Sequence, residues 1–226
     1  KKKQSFLIRG APGCGKSWLC NQLLDLCENV TCVTRTHAAA TQFQSGKTIC
    51  HLKHKVNGFF SGTLIVDEAF MLEASLCTFL SQLSLLGVHF IIAGDECQLE
   101  PIVPSPPLLD SDLLYSLAPV SIQLNVCKRS DLRLHEFGLS CKTQPFQVSM
   151  ARAREIFCAQ GQPDWYLCLD NARRMEINVQ RNLSEMPWDA VCVHGETDMW
   201  LFEGLRLIGC RIKPPILNGV IYTVHK

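Results

Sequence analysis

The stretch FLIRGAPGCGKS, residues 6–17, decides how this chain is read. Phe6-Leu7-Ile8 is a short apolar run of the kind that forms a buried strand. From Trp18 to Cys27 the apolar residues Leu19, Leu23, Leu26 and Cys27 recur at helical spacing. Between the two lies G-x-x-x-x-G-K-S, from Gly10 to Ser17, in the strand-to-helix context that gives a phosphate-binding loop its meaning. Gly10, Gly13 and Gly15, with Pro12, Cys14 and Trp18 around them, form a turn whose N–H groups face a polyphosphate, helped by the positive end of the helix. Lys16 is expected to reach the β- and γ-phosphates of a bound nucleotide and the Ser17 hydroxyl to ligate Mg²⁺.

Fifty residues on, Thr63-Leu-Ile-Val66 is an apolar, β-branched run that ends in Asp67-Glu68. An acidic pair at a strand end is ordinarily a solvated edge. After a phosphate loop and a buried strand it fits a metal and water site instead, with Asp67 holding Mg²⁺ through water and Glu68 orienting or deprotonating the attacking water. A third apolar run, Val88 to Ala93, leads into Gly94-Asp95-Glu96-Cys97-Gln98, and helical spacing fills Leu72–Leu85 between the second and third runs. Three such strands joined by helices predict an α/β fold, a parallel sheet covered by helices, with ligands at the strands' C-terminal ends. Gln98 is placed there to hydrogen-bond the γ-phosphate or the catalytic water.

Composition agrees with a packed enzyme lobe. The chain has 226 residues, 47% hydrophobic and 19% charged, so a disordered tail is excluded. Its apolar runs are far short of the ~20 residues of a membrane span, and Lys1-Lys-Lys-Gln-Ser5 leads into a strand without a signal-peptide core. The net charge of +1 is segregated. Residues 1–60 carry +7 and three histidines, residues 61–126 carry −8 with no lysine or arginine, and residues 127–226 carry +2. A basic first segment suits phosphate or polynucleotide, although a solvated face explains it equally well. Thirteen cysteines include no C-x-x-C pair, which argues against a zinc ribbon or knuckle. They read as reduced thiols used as small hydrophobes, which predicts an intracellular, reducing compartment, cytoplasm or nucleus.

The motifs together resemble a superfamily 1 helicase. GAPGCGKS (10–17), VDEAFM (66–71), GDECQLEPI (94–102) and LNVCKRSD (124–131) stand in that family's order and spacing. Thr34-Arg-Thr-His-Ala-Ala-Ala-Thr41 and Gly46-Lys-Thr-Ile-Cys-His51 are similar to segments of its RecD-like, 5′→3′ branch, and the cysteine-rich sequence resembles viral members most. The resemblance implies a RecA-like P-loop lobe followed by an incomplete second lobe with a small β-rich insertion. It implies that Thr36, His37, Thr48 and His51 contact single-stranded nucleic acid, DNA being favoured over RNA. Taken singly, each of the four is equally consistent with loop capping or a surface histidine. It also implies that Arg129 is an arginine finger at the γ-phosphate, a role that suits a forked guanidinium better than Lys128.

By this reading residues 1–119 form the first lobe, 120–185 begin the second, and 186–226 belong to the β-rich insertion. Pro101 to Pro107 marks irregular chain. Val120–Val126 is expected to be a strand crossing between lobes, and Trp165–Leu169 a strand preceding a capped helix from Asn171. Pro214 to Val224 resembles the family's N-G-x-x-Y-x-V hairpin. The family's later motifs do not follow, so the chain is expected to cover part of a helicase core. Two other classes remain: a different P-loop ATPase, for which Arg173-Arg174 is the only obvious candidate for a substrate lid, and a nucleotide-binding module without turnover.

Overall fold

Strands buried on both faces of a parallel sheet are apolar throughout, and the apolar runs of this chain take that place. The computed structural model describes residues 4–56, 60–98, 111–157, 161, 165–168, 170–195, 197–210 and 215–225. The chain begins β1 (Phe6–Gly10), α1 (Lys16–Leu26), β2 (Val30–Thr34), α2 (His37–Ala40), β3 (Lys47–Thr48) and α3 (Ile49–Lys55). It continues β4 (Thr63–Asp67), α4 (Ala74–Leu85), β5 (His89–Gly94), α5 (Ser111–Leu117), β6 (Val120–Leu124) and α6 (Leu132–Ser140). The six strands form one sheet in the order β3-β2-β4-β5-β1-β6, and every pairing is parallel. The expected elements at 63–66, 88–93 and 72–85 are therefore present as β4, β5 and α4.

Alternation along the strands divides the core in two. Leu7, Leu64, Val66, Phe90 and Ile92 face one side, where α3, α4 and α5 contribute Ile49, Leu80, Leu83 and Leu114. Ile8, Ile65, Ile91 and Ala93 face the other, against Cys20 and the partly buried Leu19, Leu23 and Leu24 of α1. Each fully buried aliphatic chain contributes about 1.5–3 kcal/mol. Burial pushes the Cys20 thiol up to about 12 and raises Cys32 as well, so both stay protonated and act as core hydrophobes.

The strand expected over 120–126 is present as β6 but does not cross between lobes. It lies in the first sheet, with Phe6 opposite Val120 and Gly10 opposite Leu124. Without it β1 would be an edge with a row of unpaired N–H and C=O groups. The chain forms two compact units, Lys1–Ser149 and Met150–Lys226. The proline-rich segment 101–107 and residues 99–102 of GDECQLEPI lie outside the described residues.

The second unit, Met150–Lys226, begins within α7 (Phe146–Ile156), which runs across the division. Residues 165–168 are irregular where a strand was expected, with no strand paired to them among the described residues, and Leu169 lies outside those. Then α8 (Asn171–Glu185) starts as expected, and Asp170 caps it by accepting from the Arg173 N–H at 2.7 Å. Two antiparallel pairs follow: β7 (Val191–Val193) with β8 (Met199–Leu201), and β9 (Arg206–Ile208) with β10 (Ile221–Thr223). Gly219, at φ 77°, makes the expected turn before β10, and the Tyr222 hydroxyl accepts from the Leu217 N–H at 2.7 Å. Among the described residues no helix is long and apolar enough to cross a membrane.

Candidate active site

The loop between β1 and α1 turns twice through the left-handed region, at Gly13 (φ 82°) and Gly15 (φ 88°), where a side chain would be strained. Gly15 is also the N-cap of α1, so the helix's first N–H groups open toward the loop. Lys16 folds back over it: its ammonium donates to the Gly10 carbonyl at 2.7 Å and the Ala11 carbonyl at 3.1 Å. Burial lowers the Lys16 pKa, Arg129 adding to that, while Asp95 and Asp67 raise it. Next in the helix, the Ser17 hydroxyl donates to Asp67 Oδ2 at 2.6 Å.

Asp67 ends β4 and is buried, with its other oxygen accepting the Glu68 N–H at 3.0 Å. Sheet order puts one strand, β5, between the lysine's strand and the aspartate's. Glu68 is in the left-handed region at φ 56°, an uncommon place for a non-glycine residue and one where backbone strain gathers at functional positions. Burial raises its pKa, the Asp67 charge adds to the rise, and Lys16 opposes it. Lysine, hydroxyl and the acidic pair thus meet at one edge of one sheet.

A third carboxylate joins them. Asp95 follows β5, is buried, and its Oδ1 accepts the Cys97 N–H at 3.0 Å. Its Oδ2 makes no hydrogen bond among the described residues and lies 3.6 Å from Lys142 Nζ, an ion pair beyond hydrogen-bond reach. Asp95 is the strongest of the charges raising the Lys16 pKa. It was not singled out from sequence, although the signal is the same as for Asp67: an acid at the end of an apolar strand. Gln98 closes the Asp95 turn, and its buried Oε1 has no partner among the described residues, an acceptor for a water or phosphate hydroxyl.

Residues 127–129 rest on the phosphate loop. The Lys128 N–H donates to the Gly13 carbonyl at 2.8 Å, and a Cβ on Gly13 would lie 2.8 Å from Arg129 Cβ. Arg129 is thereby beside the loop, and its charge is felt at Lys16. Below the loop a largely apolar cavity of about 890 Å³ is lined by Gly15, Trp18, Leu19, Asn125, Val126 and Lys128. Cys14 is buried on its wall, whereas Pro12 is exposed and Trp18 is 67% exposed.

The four candidate nucleic-acid contacts lie at the C-terminal ends of β2 and β3, where Thr34 stands opposite both Asp67 and Thr48. Thr36 is the N-cap of α2, accepting from the Ala39 N–H at 3.2 Å, and Thr48 caps α3, accepting from the His51 N–H at 3.2 Å. Thr36 and His51 are exposed, His37 is half-buried and Thr48 buried. Both threonines therefore do the capping work. Arg35 forms an ion pair with Glu73, tying the segment after β2 to the start of α4.

A parallel sheet that gathers a glycine-rich loop, its lysine and hydroxyl, and a buried aspartate one strand removed defines a RecA-like P-loop nucleotide-binding lobe. Residues 6–195 match the viral superfamily 1 RNA helicase core domain, and the chain belongs to that family. No curated protein matches it significantly. Among solved structures it is similar to a Pif1 helicase from Bacteroides in complex with ADP-AlF3 and ssDNA. That likeness has a TM-score of 0.67 and 17% identity, over 99% of this chain and 66% of the other. A Pif1 helicase from Candida albicans is similar at a TM-score of 0.72 and 16% identity, over 99% of this chain and 65% of the other. At such identities the likeness is one of fold, and the chain spans about two thirds of those proteins' length.

Proposed function

We propose that this chain is the ATP-hydrolysing part of a helicase or translocase that moves on single-stranded nucleic acid, DNA favoured over RNA. One observation carries the reading: Lys16, Ser17, Asp67 and Glu68 converge at one sheet edge while the Arg129 segment lies on the same phosphate loop. The cavity beside Trp18 accommodates a nucleoside, the loop amides and Lys16 hold the phosphates, and Glu68 and Gln98 position the water. Arg129 stabilises the charge that develops on the γ-phosphate. Ser17 and Asp67 would hold Mg²⁺, and the hard oxygen donors here, with Asp95 Oδ2 lacking a hydrogen bond, fit that ion. When bound, Mg²⁺ neutralises charge between the β- and γ-phosphates.

Thr36, His37, Thr48 and His51 would line the strand's path, next to the metal site through the register of β2 with β4. The lean toward DNA is supported by two Bacteroides Pif1 structures solved with ssDNA, whereas the family's description names RNA. In domain terms the reading takes 1–119 as the first lobe, whose sheet β6 completes, the rest of 120–185 as the start of a second lobe, and 186–226 as its β-rich insertion. Free thiols buried in the core support a reducing, intracellular setting.

ATPase rates of the intact protein, measured with and without single-stranded DNA or RNA of one sequence, test this. Stimulation by DNA above RNA is expected. Stimulation by RNA above DNA would reverse the preference but keep the motor. Turnover indifferent to both would favour another P-loop ATPase, and ATP binding without turnover a nucleotide-binding module.

A further inference from the structure

The β7–β8 hairpin of the second unit carries a cluster that the nucleotide site does not use. Cys192 pairs with Trp200 and Val193 with Met199, so the next pair outward is His194 with Asp198. Side chains alternate along a strand, which puts Cys192 and His194 on one face, and the cross-strand partner Asp198 shares it. Cys192 Sγ lies 3.9 Å from His194 Nδ1, and that nitrogen 3.1 Å from Asp198 Oδ1. The three donor atoms all fall within 4.8 Å of one another. The hairpin is clamped to α8, because the Asn182 side chain donates to the Trp200 carbonyl at 2.8 Å and accepts its N–H at 2.7 Å.

We propose that Cys192, His194 and Asp198 form a binding site for a borderline-soft divalent cation, zinc(II) above others. Tetrahedral zinc with ordinary Zn–S, Zn–N and Zn–O bonds holds its ligand atoms about 3.6 Å (S to N) and about 3.4 Å (N to O) apart. The two distances here differ from those by a few tenths of an ångström, a shift that rotamer adjustment in exposed side chains supplies. A simple surface ion pair explains His194 with Asp198 but leaves the thiol on the same face without a reason. Thiolate and imidazole select zinc over magnesium, so the site does not compete for the ion at Ser17 and Asp67. On binding, the Cys192 thiol releases its proton to solvent as the S–Zn bond forms. Neutral His194 binds through Nδ1 with its proton on Nε2, Asp198 binds as carboxylate, and water completes the fourth position. The absence of any C-x-x-C pair conceals such a site, because its ligands are brought together by strand register instead of by spacing.

Cobalt(II) titration of the reduced, metal-free protein tests the assignment, followed by displacement with zinc. One equivalent is expected to give thiolate-to-cobalt charge transfer and tetrahedral visible bands that zinc abolishes. Cys192→Ser should remove the charge transfer, and His194→Gln and Asp198→Asn should each weaken zinc by at least about tenfold. Circular dichroism of the metal-free variants checks that they remain folded. X-ray absorption of zinc bound to the unaltered protein, expected to show one sulfur and the rest nitrogen or oxygen, needs no variant. Charge transfer that persists in Cys192→Ser, unchanged affinity in either of the other two variants, or no sulfur in the zinc shell would overturn the site.

Discussion

At Lys16 burial and neighbouring carboxylates pull the ammonium in opposite directions, and burial is the stronger. That places a desolvated cation where phosphate oxygens would arrive, which is worth far more than the same charge in water. Lys16→Ala is expected to lower nucleotide binding or turnover by roughly 10²–10³-fold, read by a fluorescent ATP analogue and by phosphate release. Near-parental turnover in that variant would refute the site. Arg129→Ala in the intact protein separates the two roles: affinity for ATP stays close to parental while hydrolysis slows by roughly 10³-fold or more. Glu68 makes a third case. Its carboxyl titrates above the usual glutamate range because burial and Asp67 disfavour the anion. The folded state thus favours the protonated acid, and stability falls as pH rises from the unfolded pKa through the raised folded one. Glu68→Gln should therefore gain thermal stability relative to the parent at pH 7 and lose that advantage near pH 4. Parallel melting curves of the two proteins at both pH values decide it.

Among elements, the phosphate loop and the 127–129 segment are in contact closely enough for a methyl group to matter. Gly13→Ala meets Arg129 Cβ at 2.8 Å and Cys127 Sγ at 2.9 Å besides its positive φ, whereas a Cβ on Gly15 meets nothing within 4 Å. Gly15→Ala is expected to cost about 1–2 kcal/mol from the left-handed backbone alone. Gly13→Ala should cost clearly more, since overpacking adds about 1–3 kcal/mol. Urea unfolding of both variants gives the order, and equal losses would mean that the segment does not press on the loop. Much of this neighbourhood was legible in sequence. A parallel strand buried on both faces shows itself as an unbroken apolar run, and the strand, loop and helix at 6–26 and the strand before Asp67 were read on that basis. Pairing partners leave no such mark. Val120–Leu124 looks like any exposed strand, so its place beside β1 could not be read, nor could the reach of Lys142 to Asp95 across 47 residues of sequence. The strand expected at Trp165 had the right residue types, but among the described residues no strand pairs with 165–168.

Among the described residues, the buried hydrophobic core lies within residues 7–118, and α8 buries no residue. Stability and nucleotide chemistry therefore share the first compact unit. At MgADP concentrations near 100 times its Kd, the slowest-exchanging amides of β1, β4 and β5 should gain about 2.7 kcal/mol of protection. Those of α8 and of the β7–β8 pair should be unaffected, and hydrogen exchange by mass spectrometry would show it. Equal protection throughout would mean that the two units open as one. A last consequence comes from the bonds that Lys16 makes with the Gly10 and Ala11 carbonyls and Ser17 with Asp67. A triphosphate enters by exchange, since it takes over donors that are already engaged. Measured affinity is then the difference between two sets of contacts, and loosening the resident set would tighten nucleotide binding as surely as improving the grip on the ligand.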